Sequence, residues 1–205
     1  VRRGTDSGYH RAEAFSDAVI AISVTLMAYE LLGTTGAETS DPLGALRAAW
    51  PSFLALAMSF LVVGQMWIVH HNLWRFVREV DQGMLLLNLA LLFFVAVLPV
   101  AAKLLAAHLN GPLAPLRVAA GLYAAVALGQ ALLFNAALRW AWSKRLFDMG
   151  PERYAAFRRH FLIGPAIYLV AFLLNFASPY LSIASYLAVP VAYLGFGFGR
   201  AKDEP

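Results

Sequence analysis

The sequence contains no cysteine in 205 residues, so disulfides and thiolate metal sites are excluded. Charge is scarce as well: Asp, Glu, Lys and Arg together make up 14%, against about a quarter in a soluble domain. The G-x-S-x-G and H-E-x-x-H patterns are missing, and no acid/base pair stands beside an activated nucleophile. An intramembrane enzyme is therefore disfavoured. The alternating pattern of a membrane barrel is absent, and no internal repeat is visible. The first apolar run is too long for a signal-peptide core and no small-residue cleavage site follows it, so a cleavable signal is not expected.

What fills the sequence instead is apolar: 60% of residues, with a mean hydropathy of +0.65. At about 20 residues per span there is room for six helices and little else. The expectation is an all-α polytopic membrane protein with spans at 15–32, 43–74, 83–107, 116–142, 161–176 and 181–198. Residues 1–10 and 200–205 would be terminal segments, 11–199 the helical domain, and 143–160 its one sizeable soluble loop. Thirteen of the sixteen Lys and Arg residues fall in the two termini, the 75–78 turn and the 139–159 region. Arg47, Lys103 and Arg117 fall on the other side. That asymmetry orients both termini and the long loop toward the cytoplasm. It also explains the net charge of +4 without nucleic acid, because the cations flank membrane spans rather than covering a soluble face.

The informative polar residues open the first helix: Arg11, Glu13, Phe15, Ser16 and Asp17. A carboxylate inside a span costs roughly 3 kcal/mol on insertion scales, and Asp17 lies about 9 Å past Arg11 along the helix axis. His70 and His71 on the second span, Asn88 on the third and Asn135 on the fourth come to similar depth, about one to two turns inside the cytoplasmic boundary. Buried polar groups in lipid must satisfy one another. The expectation is a hydrogen-bonded layer centred on Ser16 and Asp17, with Asn88 and either His70 or His71 as partners. Adjacent histidines point about 100° apart, so at most one faces Asp17. Taken singly, a histidine near a helix end snorkels and an asparagine is interhelical glue. Metal or haem ligation is a weak reading, since His10, His108 and His160 lie in flanks or loops.

Three segments carry a family resemblance. Arg11-x-x-x-Phe15-Ser16-Asp17 resembles the signature of the potassium channels called transmembrane protein 175. Gln65-Met66-Trp67-Ile68-Val69-His70-His71 is similar to that family's Trp-x-x-His-His stretch. Leu87-Asn88-Leu89 leading to Leu98-Pro99 is similar to its third-helix segment. The resemblance implies a first helix that lines the pore, tied through Phe-Ser-Asp to the helices that follow. Single-repeat members form tetramers, so it also implies a homotetramer in a bacterial plasma membrane, with potassium as the partner ion and no cofactor. Some members of the family conduct protons.

At about 100° per residue, Ala18, Ile22, Thr25 and Tyr29 fall within about 60° of one another. Glu13, Asp17, Ala21 and Val24 occupy a different face, expected to pack inward. The resemblance places the constricting apolar residue on Ile22 and a polar pore position on Thr25, whereas Tyr29 departs from the aliphatic residue of the family. Any amphipathic helix offers such a stripe; the resemblance is what assigns it to a pore. Glu30, Glu38 and Asp41 could concentrate cations at the outer mouth. The Gly195–Gly199 run imitates a carbonyl filter, but it ends the last helix without a pore helix before it. The reading is a passive, potassium-preferring cation channel. The alternative is a proton- or cation-coupled carrier, or proton channel, using Asp17 with His70 or His71; a carrier more often shows inverted repeats around a midplane site.

Overall fold

The computed structural model describes residues 6–34, 40–186 and 188. Among them the chain forms α1 (Asp6–Thr34), α2 (Pro42–Ala48), α3 (Trp50–Trp74), α4 (Gln82–His108), α5 (Leu113–Ser143), α6 (Pro151–Phe161), α7 (Ile163–Ala177) and α8 (Pro179–Tyr186). Five stretches are long and apolar enough to cross a membrane: Gly8–Gly33, Trp50–Trp74, Gln82–His108, Leu113–Ser143 and Pro151–Ala177. The protein is an all-α, multi-pass membrane protein. Of the expected sixth span, 181–198, the opening turns appear in α8; apart from Ala188 the remainder lies outside the described residues, with the glycine run at 195–199.

The boundaries differ from expectation where proline or an amphipathic turn intervenes. The expected span 43–74 is two helices, parted at Ala49. Pro51 has no N–H to donate back to Arg47, so the helix cannot run through. α2 is capped by Asp41, whose carboxylate accepts from the Gly44 N–H at 2.9 Å. Much of the expected loop 143–160 is also helical, as α6. Its Tyr154 ring stacks on Trp142 with centroids 4.1 Å apart, and Phe157 packs edge-on against Phe76. The turn after α3 and the turn after α5 are pinned together by Arg78 N–H to Leu146 O and Asp148 N–H to Phe76 O, both 2.8 Å.

α4 is the hub, packed against α1, α3 and α5, while α5 in turn carries α7 and α8. Pro99 sits buried inside α4, next to Leu98, which belongs to the apolar core that also holds Leu116 and Tyr123. A second core of Leu73, Trp74, Met84, Leu91 and Leu138 fills the end where the basic residues gather. α1 lies at the edge of this bundle. Only 22% of its apolar window is buried, against 33–44% for the other four spans. A helix so apolar yet so little covered by its own chain must meet something else.

Candidate functional site

Ser16, Asn88 and His70 form one buried chain of hydrogen bonds across α1, α4 and α3. The Asn88 amide nitrogen donates to Ser16 Oγ at 2.8 Å, and Ser16 Oγ donates to the Ala12 carbonyl of its own helix at 2.8 Å. His70 Nε2 lies 3.0 Å from the Asn88 amide oxygen. An amide oxygen only accepts, so the proton is on Nε2 and the ring is in that tautomer. The ring is held by stacking on Trp74 at 5.2 Å, and its Nδ1 is buried with no hydrogen-bond partner.

Asp17 stands beside this chain rather than in it. Its Oδ1 accepts from the Trp67 indole N–H at 3.0 Å. Trp67 stacks on His71 at 5.7 Å. His71 Nδ1 is 4.0 Å from Glu13, whose other oxygen is 3.9 Å from His10. The two histidines thus divide: His70 points into the bundle toward Asn88, and His71 lies on the α1–α3 edge with the acids. Arg11 and Phe15 are exposed on α1 and are not part of either group. Asn135 is elsewhere too. It donates to the Phe161 carbonyl at 3.0 Å, the acceptor that Pro165 leaves without an N–H four residues on. No group of three or more His, Cys, Asp or Glu among the described residues could hold a metal.

The rotation of α1 differs from the expected one by about a quarter turn. Ser16, Ile20, Ser23 and Met27 are its buried residues, spaced 4, 3, 4; Ala21 is exposed, and Glu13, Asp17 and Val24 sit at the margin. The two serines explain this: small side chains whose hydroxyls are satisfied on their own helix let α1 approach α3 and α4 closely. On the opposite side, Ala18, Ile22, Thr25 and Tyr29 are all exposed, Ile22 by 56% and Tyr29 by 71%. Thr25 Oγ1 donates its proton to the Ile22 carbonyl at 2.8 Å, which leaves the oxygen lone pairs facing outward as acceptors.

At the other end, Glu30 pairs with Lys103 at 2.5 Å and Asp41 caps α2, so each has local work. Glu38 lies outside the described residues. A second polar ladder was not expected from the sequence: Ser59 with Tyr123 at 3.1 Å, Tyr123 stacked on Tyr186 at 4.7 Å, and Ser182 with Tyr186 at 2.9 Å. Hydroxyls recurring at one level in three apolar spans were the available signal.

A family model described as "Endosomal/lysosomal potassium channel TMEM175" matches residues 11–99. A protein of Chamaesiphon minutus named "Potassium channel Cha6605_3372" is 37% identical over 178 residues, covering 84% of this chain and 87% of that one. A human protein named "Endosomal/lysosomal proton channel TMEM175" is 32% identical, covering 90% of this chain and 40% of its own length. Among solved structures, a lysosomal potassium-selective channel TMEM175 homolog from Chamaesiphon minutus superimposes with a TM-score of 0.81 at 34% identity, covering 93% of this chain and 97% of that one. The similarity runs through nearly all of this chain and of the Chamaesiphon minutus protein, in sequence and in fold, and this chain belongs to the TMEM175 family of ion channels.

Proposed function

We propose that the protein is a passive, potassium-preferring channel: a homotetramer in the plasma membrane, termini in the cytoplasm, with α1 of each protomer on the axis. The observation that carries this reading is the geometry of α1. Its buried face, Ser16–Ile20–Ser23–Met27, grips the rest of the protomer, and the Ala18–Ile22–Thr25–Tyr29 stripe points directly away from it. One helix cannot enclose a pore, but cyclic symmetry brings identical exposed stripes around an axis. A ring of four Ile22 side chains would then form an apolar constriction that gates by dewetting. One turn on, four Thr25 oxygens with free lone pairs would offer acceptors to a cation that has shed water. The names of the bacterial relatives supply the choice of potassium.

The proton reading draws on the name of the human relative. Against a coupled relay stands the wiring of the polar groups. Asp17 is bonded to Trp67 and not to His70, and the chain from His70 passes through an amide and ends on the Ala12 carbonyl. An asparagine amide neither takes up nor releases a proton near neutral pH, so the chain holds helices and carries no charge. The test is flux in liposomes under separate potassium, sodium and proton gradients. Potassium flux exceeding sodium flux, with no proton movement required, is the expected result; proton flux without potassium flux would replace this reading with the alternative.

A further inference from the structure

At the basic end of the bundle, a groove of about 540 Å³ opens between α4 and α5. Leu87, Leu132 and Ala136 form its apolar wall, and Arg139, Trp140 and Ser143 its mouth. Both helices are long and apolar enough to cross a membrane, and in a bilayer that would set the wall against acyl chains and the basic mouth at the depth of the headgroups. The mouth is prebuilt. The Trp140 indole N–H is shared by both oxygens of Asp81 at 3.0 Å, and the same carboxylate caps α4 through Met84 N–H at 2.7 Å. The indole lies flat on Gly83, where any Cβ would collide with it. Lys144 Nζ sits 5.1 Å above the Trp140 ring. Ser143 Oγ is committed to the Trp140 carbonyl at 2.8 Å, so the charged donor in the groove's own lining is the exposed Arg139 guanidinium, with the Lys144 ammonium outside the lining, over the Trp140 ring.

We propose that this groove binds an anionic phospholipid, its phosphate on Arg139 and Lys144 and an acyl chain along Leu87, Leu132 and Ala136. The planar guanidinium fork matches a phosphate bidentately, and the Asp81 carboxylate is already engaged by the Trp140 and Met84 donors. A zwitterionic lipid brings its own cation to the same two basic groups and loses the advantage. Each basic group beside an anionic headgroup contributes about fivefold in affinity.

The test counts lipids retained by the purified protein in native mass spectrometry after incubation with phosphatidylglycerol or phosphatidylcholine. The wild type retains phosphatidylglycerol preferentially. Arg139→Gln lowers that retention about fivefold, and Arg139→Gln with Lys144→Gln about 25-fold, by the same increment per charge. Ala136→Trp, which fills the groove and changes no charge, lowers it at least as much as Arg139→Gln. Arg158→Gln, an exposed cation on α6 outside the groove, changes it less than twofold. Equal retention of the two lipids would overturn the proposal, as would Arg158→Gln matching Arg139→Gln, which would reduce the effect to general surface charge. Unchanged retention in Ala136→Trp, with the protein eluting normally on gel filtration, would also overturn it by moving the lipid elsewhere.

Discussion

Replacing Asn88 by alanine should loosen the attachment of α1 more than any other single polar substitution in the described residues. Asn88 is 6% exposed and bridges two helices at once, to Ser16 on α1 and His70 on α3. Two interhelical hydrogen bonds disappear, each about 0.6 kcal/mol by the average measured inside membranes. The larger loss is the stranded donor. His70 is 1% exposed, its Nδ1 already lacks a partner, and stacking on Trp74 holds the ring, so the Nε2 proton has nowhere to turn. A buried donor left unpaired costs about 1–3 kcal/mol. The sum is about 2–4 kcal/mol, measurable as a shift in the free energy of unfolding by dodecyl sulfate in mixed micelles. Adding His70→Phe to Asn88→Ala removes the stranded donor, so the pair should be less damaging than the sum of the singles by about 1 kcal/mol or more. An Asn88→Ala cost below about 0.5 kcal/mol, or strict additivity with His70→Phe, would show that Asn88 neither fastens α1 nor satisfies His70.

Three further outcomes follow from the same geometry. Asp17→Ala removes the acceptor of the Trp67 indole but touches neither the Ser16 chain nor the exposed stripe, so gel filtration should show fewer tetramers while the potassium-to-sodium flux ratio of the surviving channels stays unchanged. Ile22→Asn puts a polar ring where an apolar one excludes water, and reconstituted flux should rise with a lower preference for potassium over sodium; unchanged fluxes in an assembled variant would place the constriction elsewhere. Gly83→Ala drives a methyl into the Trp140 indole, displacing it from Asp81; the expected cost is about 1–3 kcal/mol, visible in the same unfolding titration together with a changed tryptophan fluorescence spectrum.

The long apolar runs and the depth of polar groups relative to flanking arginines were legible in the sequence. They bring Ser16, His70 and Asn88 to one level, and the structure joins those three by hydrogen bonds. Which histidine turns inward was not legible. It depends on the rotation of α3 about its axis, set by packing of Leu73 and Trp74 against α4 and α5 rather than by anything local. The same holds for Asp17: depth put it in the layer, but a quarter-turn difference in α1, fixed by the close approach of Ser16 and Ser23, moved it to the margin beside Trp67. α6 was hidden by composition. Arg153, Arg158 and Arg159 make Pro151–Phe161 read as a soluble loop, and only the docking of Tyr154 and Phe157 onto Trp142 and Phe76 reveals a helix lying along the bundle. The Ser59–Tyr123–Tyr186–Ser182 ladder joins Ser59 to Tyr123, 64 positions on, and Tyr123 to Tyr186 on a third helix, which no period along a single helix encodes.

On the reading proposed above, the exposed face of α1 lines the conduction path. The absence of cysteine makes a direct measurement possible without removing any native thiol. Ile22→Cys and Ile20→Cys are each reconstituted in liposomes, and potassium flux is followed as a membrane-impermeant, positively charged thiosulfonate is added. Modification of Ile22→Cys should block most of the flux within the time needed to label it, while Ile20→Cys, on the buried face toward α3 and α4, should conduct undisturbed. Block through Ile20→Cys, or full flux through a labelled Ile22→Cys channel, would show that the ions take another route.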